Sequence, residues 1–214
     1  MSSLQHQFIE FLLENHVLKF GEFTLKSGRK SPYFFNLGLF NTGLALTKLG
    51  AFYAETFLQS RIPCDLLFGP AYKGIPLVTA TSLMLFEKFN KNLPYCFNRK
   101  EAKDHGDGGT FVGAELKGNV VMLDDVITAG TTVRETVSLL KDTAAQLAGI
   151  IIAFDRQERG LSSNLSAVQE VVKNFNIPVQ SVITLSDVVQ YLQPKKEFSS
   201  QLKAIEKYRQ EYGA

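Results

Sequence analysis

The chain has 214 residues, of which 45% are hydrophobic and 21% charged, the profile of a globular protein with one substantial core. Its 23 basic and 21 acidic residues leave a net charge of +2, so there is no global field to grip nucleic acid or an anionic membrane, and any anion binding has to be local. The two cysteines, Cys64 and Cys96, lie in apolar, strand-like segments and read as buried reduced thiols; with an N-terminus that lacks a basic, apolar leader, they make the cytoplasm the expected location.

Leu4, Phe8, Phe11 and Leu12 recur at helical spacing and predict an amphipathic helix ending near Asn15. In FGEFTLKSGRKSPYFFNLG, short apolar and aromatic runs broken by Gly and Pro predict a pair of strands with turns at residues 26–28 and 31–32. A helix over 44–58 follows, then a strand over 65–68, a loop over 69–73, and a helix over 74–88 that tolerates Pro76 in its first turn. The next elements are a strand at 95–98, a charged, glycine-bearing loop at 99–109, a strand at 120–123, a helix at 132–146 and a strand at 150–154. Strands alternating with helices predict an α/β fold: a parallel sheet flanked by helices, with right-handed crossovers. Helices at 167–175, 186–192 and 198–212, with a strand at 179–184, complete the chain. One domain is expected, with residues 1–40 and part of 160–214 forming a small hood element over a core of about 41–160.

The chain changes character most abruptly in VVMLDDVITAGTT, residues 120–132. Four consecutive apolar residues suit a parallel strand covered on both faces, and Asp124 and Asp125 then stand at its carboxyl end, where open α/β sheets bind ligands. Two carboxylates there accept hydrogen bonds from ligand hydroxyls. The loop from Thr128 to Thr132 adds hydroxyls and Gly130, and leads into a helix whose first turn offers unpaired N–H groups to an anion. Carboxylates for hydroxyls beside a nest for phosphate describe a sugar-phosphate site. Gly113 to Gly118 has the spacing of a nucleotide P-loop, but Asn119 stands where that loop requires Lys.

Other segments offer candidate partners for such a ligand. RKEAKDHGDGG, residues 99–109, gathers Arg99, Lys100, Lys103 and His105 among glycines that suit a lid, although a charge run of this kind is also what a solvated surface loop looks like. GPAYKG, residues 69–74, follows a strand and would present backbone N–H groups and Lys73 to a phosphate, or serve as a plain connection. Phe34 and Phe35 read first as core aromatics. Arg156, just past a strand, has the fork that matches a substrate carboxylate; it can equally cap the fold through Asp155 or Glu158.

The acidic motif resembles the phosphoribosyl diphosphate (PRPP) binding motif of the type I phosphoribosyltransferases. TLKSGRKSPYFFN, FGPAYKG, FNRKEAKDHG, the acidic motif and DRQERG, taken in order, are similar to the bacterial orotate phosphoribosyltransferase family over nearly the whole chain. That resemblance implies a type I phosphoribosyltransferase fold and the transfer of ribose 5-phosphate from PRPP to orotate, with Mg2+ as cofactor, held mainly by PRPP and not directly by protein ligands. It implies that Asp124 and Asp125 bind the ribose hydroxyls, and that Val126, Ile127, Thr128, Ala129, Gly130, Thr131 and Thr132 form the 5-phosphate segment. Lys26, Tyr72, Lys73, Arg99, Lys100, Lys103 and His105 would hold the diphosphate, and Phe34, Phe35, Thr128 and Arg156 would place orotate. Lys26, Lys103, His105 and Asp125 would carry catalysis. The resemblance also implies a homodimer in which Lys100 and the lid reach the neighbouring subunit's site. Ala129, where other branches of the superfamily carry Thr or Ser, and the stretch LSSNLSA after DRQERG depart from the pattern.

Overall fold

Along Val120, Val121, Met122 and Leu123 the side chains alternate between two apolar clusters, Val121 and Leu123 in one and Val120 and Met122 in the other, and all four are fully buried. Helices therefore cover both faces of this strand, which explains why its sequence is continuously apolar. The computed structural model describes residues 1–25, 28–103, 109–160 and 164–214, apart from the side chains of Ala102 and Lys103. The elements are α1 (Ser3–Glu14), β1 (Leu18–Thr24), β2 (Lys30–Phe35), α2 (Gly43–Ser60), β3 (Leu66–Gly69), α3 (Gly74–Phe89), β4 (Tyr95–Lys103) and β5 (Gly109–Gly113). They continue with β6 (Lys117–Asp124), α4 (Thr131–Leu140), β7 (Ala144–Asp155), α5 (Ala167–Phe175), β8 (Val179–Thr184), α6 (Leu185–Leu192) and α7 (Ser199–Tyr212).

Six strands form one sheet in the order β5-β4-β3-β6-β7-β8. All neighbours are parallel except β4 and β5, so the sheet is mixed and mostly parallel. β1 and β2 form a separate antiparallel pair. This pair packs through the buried Tyr33, whose ring meets Phe154 at the end of β7 (5.8 Å between centroids) and Tyr208 of α7 (6.1 Å), while Phe20 meets Phe198 (5.8 Å). Among the described residues, no helix is long and apolar enough to cross a membrane.

Several expected boundaries are corrected. The turn expected at 31–32 lies inside β2: the register slips between Phe20 and Phe23, so Pro32, which has no N–H to donate, falls opposite the irregularity instead of interrupting the ladder. The loop expected at 99–109 is largely a hairpin arm, because β4 continues to Lys103 and returns antiparallel as β5. The helix expected to run to residue 146 stops at Leu140, and β7 begins at Ala144, six residues before its expected start at 150. Here β6 starts early, at Lys117, and residues 117–120 pair with 144–147, so the sheet satisfies backbone groups that a helix would otherwise use; Thr143 Oγ1 donates to Leu140 O (2.8 Å) and closes the helix end. Cys96 is buried in β4, whereas Cys64 precedes β3 and is partly buried; both are free thiols.

Candidate active site

The parallel strands β3, β6 and β7 end at one edge of the sheet, and Asp124, Asp125 and Lys73, singled out from the sequence, meet there. At the end of β6, Asp124 and Asp125 are only 8% and 7% exposed. Backbone amides hold them: Asp124 Oδ1 accepts from Asp125 N (2.8 Å), and Asp125 Oδ1 accepts from Val126 N (2.9 Å). Their main chain is pinned as well. Tyr53, fully buried in α2, donates its hydroxyl to Asp124 O (2.8 Å), and Asp125 O accepts from Ala153 N (3.0 Å) in β7. Burial, and then the neighbouring charge of Asp125, push the Asp124 carboxyl up from 3.8 to about 7.

The turn from β3 into α3 brings in a cation. Lys73 Nζ donates to Asp125 Oδ2 at 2.5 Å, with the lysine side chain 59% exposed and the aspartate 10%. Gly69 and Gly74 make this turn tight: a Cβ on Gly69 would stand 2.2 Å from Gly74 O, and one on Gly74 would stand 2.7 Å from Gly69 C. Asn98 of β4 braces the turn by accepting from Ala71 N through Oδ1 (2.9 Å), and the Ala71–Tyr72 peptide bond is cis. Tyr72 is 71% exposed beside Lys73.

Beyond Asp125, Val126 is half-buried, Ile127 is buried, Thr128 and Ala129 are exposed, and Gly130 takes a left-handed conformation (φ 65°) to begin α4. The hydroxyls of Ser2, Thr42, Ser166 and Thr184 cap α1, α2, α5 and α6, but α4 has no side-chain cap. Its first bonded amide is Arg134 N, on Gly130 O at 3.0 Å, and the preceding amides of Thr131, Thr132 and Val133 have no backbone partner among the described residues.

On the other side of the edge, Arg156 follows β7. Its Nε and Nη2 donate to Glu158 Oε1 (2.9 and 2.7 Å), and its guanidinium lies over the Tyr33 ring at 4.8 Å. Of the two alternatives the sequence allowed for Arg156, the pair with an acid is thus present. Phe35 packs on Phe154 (5.3 Å), and Phe34, partly exposed, stacks on Phe23 (5.4 Å). Arg99 Nη1 bridges the hairpin arm to Gly109 O (2.9 Å), and Lys100 is exposed beside it. Lys26 and His105 lie outside the described residues, as does the side chain of Lys103.

The sheet edge therefore joins Asp124, Asp125, Lys73 and the open end of α4, with Arg156 and the β2 aromatics alongside. Sequence reasoning missed Tyr53, Asn98 and Tyr33 as supports. For Tyr33 a signal existed, because strand alternation turns residues 31, 33 and 35 to one side; for Tyr53 the only mark was its place in an apolar helix.

A family model described as the phosphoribosyl transferase domain matches residues 40–183. Orotate phosphoribosyltransferases from Shigella flexneri and Photorhabdus laumondii are each 58% identical over 213 residues, covering 100% of both chains. A solved orotate phosphoribosyltransferase from Francisella tularensis superposes with a TM-score of 0.90 at 47% identity, covering 97% of this chain and 100% of that one. A mostly parallel sheet with paired acids at the end of one strand and an uncapped helix after them is the type I phosphoribosyltransferase design, and the chain belongs to the phosphoribosyltransferase family. Within it, the chain is grouped with the orotate phosphoribosyltransferases. It is a pentosyltransferase acting between PRPP and orotate in pyrimidine synthesis.

Proposed function

We propose that this enzyme works as a magnesium-dependent homodimer in the cytoplasm, with the donor held at the end of β6 and the acceptor held between β2 and the end of β7. The observation that carries the reading is the buried Asp124–Asp125 pair beside the uncapped start of α4. The carboxylates receive the ribose hydroxyls and the α4 amides receive the 5-phosphate. Lys26, Tyr72, Lys73, Arg99, Lys100, Lys103 and His105 hold the diphosphate. Phe34, Phe35, Thr128 and Arg156 place orotate. The pair β1–β2 with α7 serves as the hood, within a single domain.

In the reaction, orotate N1 attacks the anomeric carbon of PRPP as the bond to the diphosphate oxygen breaks, and the electron pair leaves on diphosphate. Orotidine 5-phosphate and diphosphate result. The transition state is cation-like at the ribose, so the enzyme contributes by positioning both partners, by spreading cations along the departing diphosphate, and by excluding water. Asp124 is buried and Asp125 is already held by Lys73, so few protein oxygens remain for an ion. A Mg2+ ion here would be held mainly by PRPP and water, and its chemistry would be charge neutralisation of the leaving diphosphate.

The free thiols Cys64 and Cys96 suit a reducing compartment. Leu83 and Phe86, 61% and 56% exposed at i and i+3 on α3, support an apolar contact between subunits. Orotate turnover measured after chelation, then with graded Mg2+, tests the metal requirement; full activity without a divalent ion refutes it. Mixing subunits inactivated separately by Asp125→Ala and Lys100→Ala should restore some activity, and no recovery in verified mixed dimers refutes site sharing.

A further inference from the structure

Transfer of the pentosyl group gives Glu158 no role, yet Glu158 is tied into the acceptor side as firmly as any residue there. Its Oε1 takes three hydrogen bonds: Arg156 Nε at 2.9 Å, Arg156 Nη2 at 2.7 Å and the Tyr33 hydroxyl at 2.5 Å. The Arg156 and Glu158 side chains are 15% and 13% exposed. Burial works against the arginine charge, but Tyr33 and Glu158 outweigh it and hold the guanidinium above its usual range. Burial is also the chief reason the Tyr33 phenol stays well above its ordinary value, so it remains an O–H donor to the carboxylate.

The main chain beneath the pair is fixed from several directions. Gln157 adopts a left-handed conformation (φ 53°) and its N donates to Asp155 Oδ1 (2.9 Å). Its side-chain Oε1 accepts from Ser186 N (3.0 Å) and Ser186 Oγ (2.7 Å) at the start of α6, and its carbonyl accepts from Ala214 N (3.0 Å). Arg159 N donates to Tyr212 O (2.8 Å). The carboxylate thus sits on an anchored frame, and it takes up one edge of the guanidinium, the edge formed by Nε and Nη2. The opposite end is different: among the described residues Nη1 makes no hydrogen bond of ordinary geometry, and the buried Tyr208 hydroxyl, itself without such a bond, interacts with both Arg156 and Glu158.

We propose that Glu158 is a positioning residue of the acceptor site: with Tyr33 it occupies the Nε edge of Arg156 and turns the open Nη1 end toward the carboxylate of orotate. The proposal rests on the assignment of Arg156 to the acceptor pocket made above. An unrestrained arginine samples many rotamers, and binding would have to freeze them; a guanidinium already locked by Glu158 and Tyr33 costs less to engage. The arrangement also separates two like charges, because the substrate carboxylate arrives at the end of the guanidinium away from Glu158. A base without a carboxylate gains nothing from it.

The test is steady-state kinetics of the full-length E158A, E158Q, Y33F and R156A enzymes, with KM for orotate and for PRPP measured separately. E158A should raise the orotate KM about tenfold and leave the PRPP KM within about twofold. E158Q keeps an oxygen that accepts from Nε and Nη2, so it should stay within about threefold of wild type for orotate. An orotate KM unchanged in E158A, equal rises for both substrates, or an E158Q enzyme as impaired as E158A overturns the positioning role. If R156A leaves the orotate KM unchanged, the acceptor-pocket assignment itself fails; a large R156A effect with none in E158A sinks only the present proposal. Should E158A not fold by circular dichroism, Y33F decides: a few-fold rise in the orotate KM alone supports the proposal, and no rise overturns it.

Discussion

The proposed seat for the donor's ribose 5-phosphate comes from one uninterrupted stretch, residues 120–132, whereas the proposed acceptor half joins side chains as distant as Tyr33 and Glu158, 125 residues apart in sequence. In the donor half, the strand's own hydrogen bonds and burial on both faces bring Asp124 and Asp125 to the sheet edge, and the next turn opens α4 toward the same place. In the acceptor half, β2 and the end of β7 meet through tertiary contacts: Tyr33 and Phe35 pack on Phe154, and the Tyr33 hydroxyl bonds to Glu158. Local geometry builds one half and tertiary packing builds the other. Damage to the donor half should therefore act on chemistry directly, while damage to the acceptor half should act through orientation.

The largest expected effect falls on the carboxylates at the end of β6. Asp125→Ala removes a carboxylate assigned to the ribose and also releases Lys73, its partner at 2.5 Å. A fall in kcat/KM of about a hundredfold is expected, the scale of losing a charged hydrogen bond at a reacting group. Thermal unfolding should change little, because Lys73 is more than half exposed and exposed pairs contribute little. A loss below about fivefold would take Asp125 out of contact with the ribose.

Arg156→Lys is next and probes the acceptor half. Lysine keeps the charge but has no planar fork, so one ammonium cannot serve both Glu158 and a substrate carboxylate with the same geometry. The orotate KM should rise on the order of tenfold to thirtyfold with the PRPP KM nearly unchanged. Equal rises in both would mean that Arg156 supports the whole edge and not the acceptor alone.

This division explains what was legible in the sequence. The β6 run and its two acids could be read because alternating burial on both faces leaves a continuous apolar stretch, and the acids mark where it ends. The alternation of strands and helices likewise gave the sheet. The antiparallel arm was not legible: charged and small residues at 99–103 have no apolar periodicity, and their strand form depends on pairing with β5. The early start of β7 was hidden for a similar reason, since AAQL suits a helix until β6 offers a partner. Tyr53 and Tyr33 matter through one hydroxyl each, placed by packing that no local pattern encodes.

A pH effect comes third and separates the halves by protonation. The folded Asp124 carboxyl ionises near 7 and the unfolded one near 3.8, so between these values the folded protein holds a proton that the unfolded chain has lost. Its contribution to stability is full below about 3.8 and is lost as pH rises through about 7. PRPP binding has the opposite sign. A ribose hydroxyl donates to the ionised carboxylate, so binding should release a proton and weaken as pH falls and the raised Asp124 carboxyl takes up its proton. Calorimetry in buffers of different ionisation enthalpy should register that proton for wild type and lose it in Asp124→Asn, which also subtracts any titration of PRPP itself. An unchanged proton release in the variant would assign it to another group.

Thr131→Ala should have the smallest effect, and for a reason specific to the donor half. The Thr131 hydroxyl accepts from Arg134 Nη2 (3.2 Å) on an exposed surface, but the 5-phosphate is assigned to the open amides at the start of α4, and these survive the substitution. The PRPP KM should change by less than about threefold, the scale of one solvent-exposed hydrogen bond. Gly130→Ala makes the contrast sharp, because its φ of 65° is costly for any residue with a Cβ and the amides after it would turn with it. Measured together, the two should differ by more than about fivefold in PRPP KM. If Thr131→Ala is the worse of the pair, hydroxyls and not backbone amides hold the phosphate, and the donor half depends on side chains as much as the acceptor half does.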